Sequence, residues 1–465
     1  ACSGGGDATS SARQGQRGPD GGAGGAPEAE AGTPPGLSFD GAFVSLWQRE
    51  SVMSIERDAT NTFPIVFPPP EPIEESVWFW DFWPVRDPDN EIADIGGYTV
   101  IVGLVADRQE VTPGGRHGAA RWGYFFRRPG EEWTYGGLVF PEGQPLGDRQ
   151  WAGSANYDPA TGRVRFFYTA LGELEVDRSP GNDVGAEDGY EDARLRGESV
   201  VPQTIVETSA VVQTEGGVTF TDFDPHVAIL EADGGLYANG RQALAADALY
   251  VFRDPFYFAD PTDGREYLLF TASAGAWNLG SHNGVAGLAT REPAGGWRLL
   301  PPLVAALNVN SQIERPHMVY QDERFYLFFT SHSFSFAEGL SGPEGLYGLV
   351  ADAFRGNYAP LNGSGLVLGN PEDAKYQTYS YLALPGGLVT SFVNWVNLGD
   401  VTLAGISEQT EAWRRERFIG TPAPLLRIAI EGADTALVGE VEDHPLGAEP
   451  SGQPTRSVTG EPLAR

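Results

Sequence analysis

The 465-residue sequence contains one cysteine, Cys2, and one lysine, Lys375. With a single cysteine, no disulfide bond can form within the chain. The scarcity of lysine belongs to a wider lack of positive charge, since 31 Lys and Arg residues stand against 63 Asp and Glu residues and the formal net charge is −32. So much negative charge opposes binding to nucleic acid or to an anionic membrane surface, and we expect neither as a partner.

The sequence also lacks long hydrophobic runs. None approaches the roughly 20 apolar residues of a membrane-spanning helix, so we expect no membrane span. Residues 1–36 are rich in Gly, Ala, Pro and Ser, a composition typical of a disordered tether. We predict a folded domain over residues 37–442 and a flexible C-terminal tail over residues 443–465.

Cys2 lies in the sequence Ala-Cys-Ser-Gly-Gly-Gly. This setting is similar to the start of a processed bacterial or archaeal lipoprotein. It indicates a lipid anchor at Cys2 and an extracellular location at the cell surface. The spread of acidic residues along the whole chain, with Arg in place of Lys, favours a protein from a saline habitat over an ordinary acidic secreted protein.

The folded part is rich in aromatic and β-branched residues and contains a weak internal repeat of apolar segments. Each segment is short and nearly continuously hydrophobic, which is typical of a strand covered on both faces. The middle three segments end in Thr followed by a small residue. The segments are Tyr98–Val105, Arg163–Ala170, Arg265–Ala272, Arg324–Ser331 and Gly387–Asn394.

Five such strands favour an all-β fold, a five-bladed β-propeller with a central funnel-shaped active-site pocket. A two-sheet sandwich is the alternative architecture. The acidic stretch Glu173–Glu198 is poor in strand-forming residues, and we expect it to form a long surface loop.

Three tryptophans surround the carboxylate of Asp81 in the stretch Val77–Asp87, VWFWDFWPVRD. A regular strand would place Trp80 on one face and Asp81 with Trp83 on the other. An ionised carboxylate among aromatic side chains is unfavourable unless it is paired or has a function. Taken alone, the stretch is compatible with a buried, paired aspartate of purely structural importance.

Two later stretches also place a carboxylate beside an arginine at a strand boundary, Phe252-Arg253-Asp254-Pro255 and Glu314-Arg315-Pro316-His317. A proline disfavours helical conformation in the residue before it, so we expect Asp254 to be extended. In a regular strand Arg253 would point to the opposite side. Each stretch alone is compatible with a structural ion pair.

Together the three carboxylates match the needs of glycosidic cleavage, which uses one carboxylate as nucleophile and another as acid and base. Other chemistries are less compatible with the sequence. It has no G-x-S-x-G or H-E-x-x-H motif and no Gly-rich phosphate loop, and its six histidines have no metal-ligand spacing. We therefore expect no cofactor and no metal.

The residues at these positions resemble glycoside hydrolase family 68, the levansucrases and inulosucrases, over roughly residues 43–422. The resemblance implies a five-bladed propeller acting on sucrose, with Asp81 as nucleophile, Asp254 as transition-state stabiliser and Glu314 as general acid and base. It also implies that Trp80, Trp151, Arg253, Gln312, His332 and Tyr379 line the sucrose pocket. The motifs are W-D-x-W-P (residues 80–84), W-x-G-S (151–154), F-R-D-P (252–255), Q-x-E-R-P-H (312–317) and Y-L-F-F-T-S-H (326–332).

The sequence departs from the family pattern at several places. Ala152 stands where many relatives have a serine beside the nucleophile, and Tyr381 where they often have histidine. Gln312 and His332 match the Gram-negative pattern. Ser311 replaces an aspartate that binds calcium in Gram-positive members, so we expect no calcium here.

These features predict a monomeric retaining fructosyltransferase that cleaves sucrose and transfers fructose to a growing fructan, as a levansucrase, or to water. Within the family, an inulosucrase or a purely hydrolytic β-fructofuranosidase is the alternative. From another class, the alternative is an inactive propeller that binds carbohydrate. Residue types alone do not distinguish β-2,6 from β-2,1 linkage in the product.

The charge of −32 leads to a testable prediction. We expect the melting temperature and the activity on sucrose to rise together from dilute buffer to molar KCl or NaCl. At 1 M salt the Debye length falls to about 3 Å, so self-repulsion of the acidic surface is screened. Thermal melts and sucrose turnover along a salt series measure this, and a flat or falling melting temperature would contradict it.

Overall fold

The computed structural model of the protein describes residues 36–39, 41–172, 201–246, 248–442 and 444–446. The loop predicted for residues 173–198 and nearly all of the predicted tether lie outside the described residues. Two short strands and a helix begin the described chain. They are β1 (Gly36–Phe39), β2 (Ala42–Leu46) and α1 (Arg49–Met53).

The first two sheets are antiparallel and follow the order of the chain from the inside outwards. The first consists of β3 (Val77–Pro84), β4 (Thr99–Asp107), β5 (Arg121–Arg127) and β6 (Thr134–Leu138). The second consists of β7 (Arg149–Asp158), β8 (Arg163–Leu171), β9 (Gln203–Gln213) and β10 (Thr219–Thr221), with β11 (Val227–Leu230) also paired to β9.

The third sheet follows helix α2 (Gly240–Ala245) and is completed by the N-terminal strands. It consists of β12 (Phe252–Ala259), β13 (Glu266–Ser273), β14 (Gly284–Arg291) and β15 (Trp297–Ala305), followed by β2 and β1. The pairing of β15 with β2 is parallel, whereas the other pairings in this sheet are antiparallel. The start of the described chain is thereby held by a strand more than 250 residues later in the sequence.

The fourth and fifth sheets are again built from consecutive segments. The fourth consists of β16 (Glu314–Gln321), β17 (Arg324–Ser331), β18 (Gly345–Ala351) and β19 (Ala359–Pro360), with β20 (Leu366–Gly369) also paired to β18. The fifth contains β21 (Thr378–Leu384), β22 (Leu388–Trp395), β23 (Phe418–Pro422), β24 (Leu426–Glu431) and β25 (Asp434–Glu440). Helices α3 (Leu403–Ile406) and α4 (Glu411–Arg417) precede β23.

The five sheets are the blades of a propeller. Each inner strand contacts the inner strands of its two neighbours in the cyclic order β3, β7, β12, β16, β21 and back to β3. The predicted five-bladed β-propeller is confirmed, and the sandwich alternative is wrong. The five repeated apolar segments are β4, β8, β13, β17 and β22, the second strand of every blade, within two residues at either end.

Side chains close the ring between the last and first blades. The ring of Trp78 on β3 packs edge-on against that of Phe418 on β23, with centroids 5.2 Å apart. Arg108 Nη2 donates a hydrogen bond of 2.7 Å to the carbonyl of Ile419. Because no strand is shared across this junction in the described chain, packing and a few hydrogen bonds hold the first and fifth blades together.

A β-bulge interrupts every inner strand at the same place. Across each bulge the inner strand has one more residue than the second strand, as between Trp80 and Trp83 on β3. The last paired residues before the five bulges are Trp80, Trp151, Arg253, Glu314 and Tyr379. In four of the five bulges the next residue has a left-handed backbone: Asp81 (φ 45°), Asp254 (φ 59°), Arg315 (φ 49°) and Ser380 (φ 59°).

The bulges overturn two local expectations. Strict alternation through residues 77–84 is wrong, because the bulge turns Asp81 out of the pleat while Trp80, Phe82 and Trp83 are all buried. The extended conformation expected for Asp254 before Pro255 is also wrong, since its φ is positive. At Asp81 and at Asp254, the pairing of the inner strand with the second strand of its blade outweighs the conformational preference of the local sequence.

Of the predicted C-terminal tail, residues 444–446 are described. Arg127 Nε donates to the carbonyl of Pro445 at 2.8 Å, and Leu446 is buried. The rest of the tail lies outside the described residues. Within the described chain, no helix has both the length and the apolar character needed to cross a membrane.

The bulge on β7 allows a direct test of backbone packing. A Cβ added to Gly153 would lie 1.8 Å from the carbonyl oxygen of Phe167. We therefore expect Gly153→Ala to lower the free energy of unfolding by about 1–3 kcal/mol, the usual cost of overpacking. Denaturant titration measures this. Gly280→Ala is the matched control, because no atom lies within 4 Å of its added Cβ, and equal stability of the two variants would refute the close packing.

Candidate active site

The five bulges bring the predicted site residues together at the centre of the ring. Two of the predicted residues lie just outside strands of the fourth blade. Gln312 lies two residues before β16, and His332 directly follows β17. The bulge residues among those predicted are Trp80, Asp81, Trp151, Arg253, Asp254, Glu314 and Tyr379.

The guanidinium of Arg253 connects the third and fourth blades. Its Nη2 donates to Gln312 Oε1 at 2.8 Å and to Glu314 Oε1 at 3.4 Å. Its Nε lies 3.6 Å from Asp254 Oδ2. The expectation that Arg253 points away from Asp254 is therefore wrong, because the bulge places both side chains in the same site.

The carboxylate of Glu314 has a second set of partners on its other oxygen. Tyr379 donates its hydroxyl hydrogen to Glu314 Oε2, and His332 Nε2 lies 3.7 Å from the same oxygen. On the other side of the imidazole, Nδ1 lies 3.0 Å from Oε2 of the buried Glu344. His332 therefore lies between two carboxylates.

Asp254 is buried and held by threonines from two blades. Thr271 Oγ1 donates to Asp254 Oδ2 at 2.9 Å, and the backbone N–H of Asp254 donates to Thr169 Oγ1 at 2.9 Å. The same Thr271 hydroxyl oxygen accepts a hydrogen bond from the backbone N–H of Arg315, also at 2.9 Å. This arrangement fixes both the backbone and the carboxylate of Asp254.

Burial and charge push the pKa values of the two carboxyl groups in opposite directions. Burial raises the pKa of Asp254 to about 7 despite Arg253, and the charges of Glu314 and Asp81 act in the same direction as burial. Burial would also raise the pKa of Glu314, but His332, Arg253 and the Tyr379 hydroxyl outweigh it and lower that pKa. These pKa values favour an ionised Glu314 and a partly protonated Asp254 near neutral pH.

The position of His332 favours its protonated form. Burial disfavours the imidazolium, but the carboxylate of Glu344 and then that of Glu314 outweigh burial, so the pKa of His332 is raised. The same charge lowers the pKa of Glu314. A protonated His332 therefore favours the ionised form of Glu314.

Aromatic side chains from the first two blades form another part of the site. The indole N–H of Trp151 donates to the carbonyl of His117 at 3.0 Å, and the guanidinium carbon of Arg253 lies 5.4 Å from the centroid of the Trp151 ring. The His117 ring lies 5.6 Å from that of Trp80, which is fully buried. These contacts orient the tryptophans independently of any ligand.

Sequence reasoning missed Arg315, Glu344 and the threonines as parts of the site. Arg315 is buried and donates to the carbonyl and hydroxyl of Ser380 and to the carbonyl of Phe82, so it joins the fourth blade to the fifth and first. The sequence held one signal for the threonines, the Thr near the end of the middle three repeated segments. Glu344 had no signal, because its role depends on a histidine twelve residues earlier.

Two departures from the family pattern have a clear structural outcome. Tyr381 is fully buried, and its hydroxyl contacts Thr378 and Asn370 rather than the carboxylates. Ala152 is buried and has no side-chain hydroxyl, while its carbonyl accepts a hydrogen bond of 3.0 Å from Thr169.

Among the described residues, no group of three or more His, Cys, Asp or Glu side chains is placed to hold a metal ion. The expectation that Ser311 excludes calcium stays a prediction.

Comparison with known protein families shows which family the chain belongs to. A family model described as levansucrase/invertase matches residues 37–292 and 280–448. The chain belongs to glycoside hydrolase family 68. This confirms the resemblance stated from the five motifs, and the match covers nearly all of the described residues.

Several proteins are similar to this chain over most of their length. Levansucrase LscA of Pseudomonas savastanoi pv. glycinea is 36% identical over 440 residues, which cover 86% of this chain and 95% of the relative. The inulosucrase from Halalkalicoccus jeotgali bound to kestose has a TM-score of 0.77 and 38% identity, covering 89% of this chain and 99% of that one. The β-fructofuranosidase from Microbacterium saccharophilum K-1 has a TM-score of 0.71 and 29% identity, with 87% and 86% coverage.

The pKa of Asp254 leads to a prediction about stability. It is 3.8 for an unperturbed Asp and about 7 in the folded protein, so between these values the folded state holds more protons than the unfolded state. The contribution of Asp254 to stability therefore falls as pH rises through this range. Asp254→Asn stays neutral and does not titrate, so we expect its melting temperature, relative to wild type, to increase from pH 4 to pH 7.

Thermal melts over this pH range measure the difference. The exposed Asp434 provides the control Asp434→Asn, whose difference from wild type should stay nearly constant. A constant difference for Asp254→Asn as well would contradict a raised pKa in the folded protein.

Proposed function

We propose that this family 68 member is a retaining fructosyltransferase that cleaves sucrose through a covalent fructosyl-enzyme. The observation that carries the proposal is the convergence of three carboxylates from three blades. Arg253 contacts Asp254 and Glu314, and Asp81 lies near enough for its charge to raise the pKa of Asp254. The names of the relatives support it, since they include a levansucrase and a kestose-bound inulosucrase. An inactive carbohydrate-binding propeller would have no need for this set of carboxylates.

In the first half of the reaction, Asp81 attacks the anomeric carbon of the fructosyl unit. The bond from that carbon to the glycosidic oxygen breaks, and Glu314 gives its proton to the departing glucose oxygen. Asp81 is suited to attack because the bulge turns it out of the pleat, and it is only half-buried.

Substrate binding supplies Glu314 with its proton by changing which carboxyl group is protonated. A fructosyl hydroxyl that donates to Asp254 favours its ionised form. The glycosidic oxygen has no proton to donate, so it favours the protonated form of Glu314. Because the negative charges of the two carboxylates repel each other, ionisation of Asp254 favours protonation of Glu314.

In the second half, Glu314 is ionised and removes a proton from the incoming acceptor hydroxyl or water. The acceptor oxygen then bonds to the anomeric carbon and Asp81 leaves. His332, whose pKa is raised, and the Tyr379 hydroxyl stabilise the ionised Glu314 at this stage. The contacts that lower the pKa of Glu314 thus keep it in the ionised form that can accept a proton.

Levan and inulin both remain candidate products, because the relatives include a levansucrase at 36% identity and an inulosucrase structure at 38%. A hydrolytic β-fructofuranosidase is a further outcome. Incubation with sucrose, quantification of free glucose and fructose, and linkage analysis of any polymer distinguish the three. No release of glucose would contradict the proposed function.

We also infer that the protein works outside the cell in a saline habitat. The charge of −32 and the single lysine support this, and the inulosucrase structure is from Halalkalicoccus jeotgali. A lipid anchor at Cys2 and a monomeric state stay predictions, and Cys2 lies outside the described residues.

The assigned roles predict the effect of removing each carboxylate. We expect Asp81→Ala and Glu314→Ala each to lower kcat for glucose release by about 10³-fold or more, because the covalent mechanism requires both groups. Asp254→Asn should lower kcat more than it raises KM, since it weakens a contact that strengthens in the transition state.

Steady-state glucose release measures these effects. Asp434→Ala, which removes an exposed carboxylate on the outermost strand of the fifth blade, is the control. An Asp81→Ala variant that keeps a tenth of the wild-type rate would overturn the assignment of the nucleophile.

A further inference from the structure

Phe334 is an exposed aromatic residue next to the candidate active site. Phe334 is 64% exposed, whereas most large hydrophobic side chains among the described residues are buried. It is the middle residue of the short 3-10 turn Ser333–Ser335 that follows β17 and His332. An apolar side chain this exposed beside a polar site is a candidate contact surface for a ligand.

The Phe334 ring is the outermost of three stacked rings. Its centroid lies 4.5 Å from that of His332, with 17° between the planes. His332 in turn stacks on Tyr379 at 3.9 Å and 11°. Tyr379 donates its hydroxyl hydrogen to Glu314, so the stack leads from the general acid and base to the surface.

The turn that carries Phe334 is held in place on both sides. The backbone N–H of Ser333 donates to Glu344 Oε1 at 3.2 Å, the carboxylate that also contacts His332. Ser335 is buried, and its hydroxyl accepts a hydrogen bond of 3.3 Å from Gln312 Nε2. The flanking side chains are thus anchored, and Phe334 alone is directed outwards.

We propose that Phe334 forms an acceptor subsite, where its free face packs against a sugar ring of the growing oligosaccharide. Sugar rings present faces of C–H groups, and an aromatic side chain offers a rigid apolar surface of matching size. A neutral oligosaccharide is also not repelled by the acidic protein. The proposal rests on the proposed function, because it assigns the acceptor that Glu314 activates.

The test separates acceptor binding from sucrose cleavage. Kestose is titrated into the wild-type protein and Phe334→Ala, and transfer is measured as glucose released minus free fructose. We expect Phe334→Ala to raise the kestose concentration for half-maximal transfer about three- to tenfold, and Phe334→Trp to restore it. Val438→Ala is the control, because Val438 is equally exposed at 64% but lies on the outermost strand β25 of the fifth blade.

Direct binding gives a second readout. In an Asp81→Ala background, calorimetry with kestose should show weaker binding when Phe334 is also replaced by Ala. Equal kestose dependence of Phe334→Ala and wild type would overturn the subsite. A loss of glucose release in proportion to the loss of transfer would also overturn it, since Phe334 would then act by supporting His332. A wild-type protein that releases no glucose from sucrose would instead contradict the proposed function itself.

Discussion

Hydrogen bonds from one threonine in each of three consecutive blades organise the centre of this propeller. Thr169 contacts the inner strand of its own blade at Ala152 and the bulge of the next blade at the N–H of Asp254. Thr271 does the same between Asp254 and Arg315, and Thr330 reaches the carbonyl of Tyr381. Since these hydroxyls are fully buried, losing one would leave backbone groups unpaired in the core. The bulges and the side chains they direct therefore depend on neighbouring blades.

The left-handed residues at the bulges carry conformational strain that a glycine would avoid. A non-glycine residue in this region costs on the order of 1–3 kcal/mol and persists where the surrounding structure determines it. Asp81, Asp254 and Arg315 all have this conformation, and all three belong to the polar centre of the ring. Each can keep it because the strand on either side is paired and buried. The strained residues at the bulges are thus among those that bring the functional side chains together.

The charges at the centre are balanced over a short distance. Arg253 contacts Asp254 and Glu314, while His332 lies between Glu314 and Glu344. Removing either side chain would leave buried carboxylates with less compensating positive charge, which is unfavourable. The two carboxyl groups also affect each other, since the charge of Glu314 raises the pKa of Asp254. The charged side chains at the centre are therefore paired, even though the chain as a whole is strongly acidic.

The sequence by itself determined the fold class, the five second strands and the three carboxylates. Segments such as Arg324–Ser331 are apolar on both faces, and this local pattern encodes a buried strand without reference to the rest of the chain. Only the tertiary structure decided the conformation of Asp81, the side on which Arg253 lies and the participation of Glu344. Each of these depends on a partner in another strand or a later loop: the register with β4, the contact with Gln312 and the imidazole of His332. Local preferences predicted a regular strand and an extended Asp254, but a preference of this kind is weaker than the buried hydrogen bonds between blades.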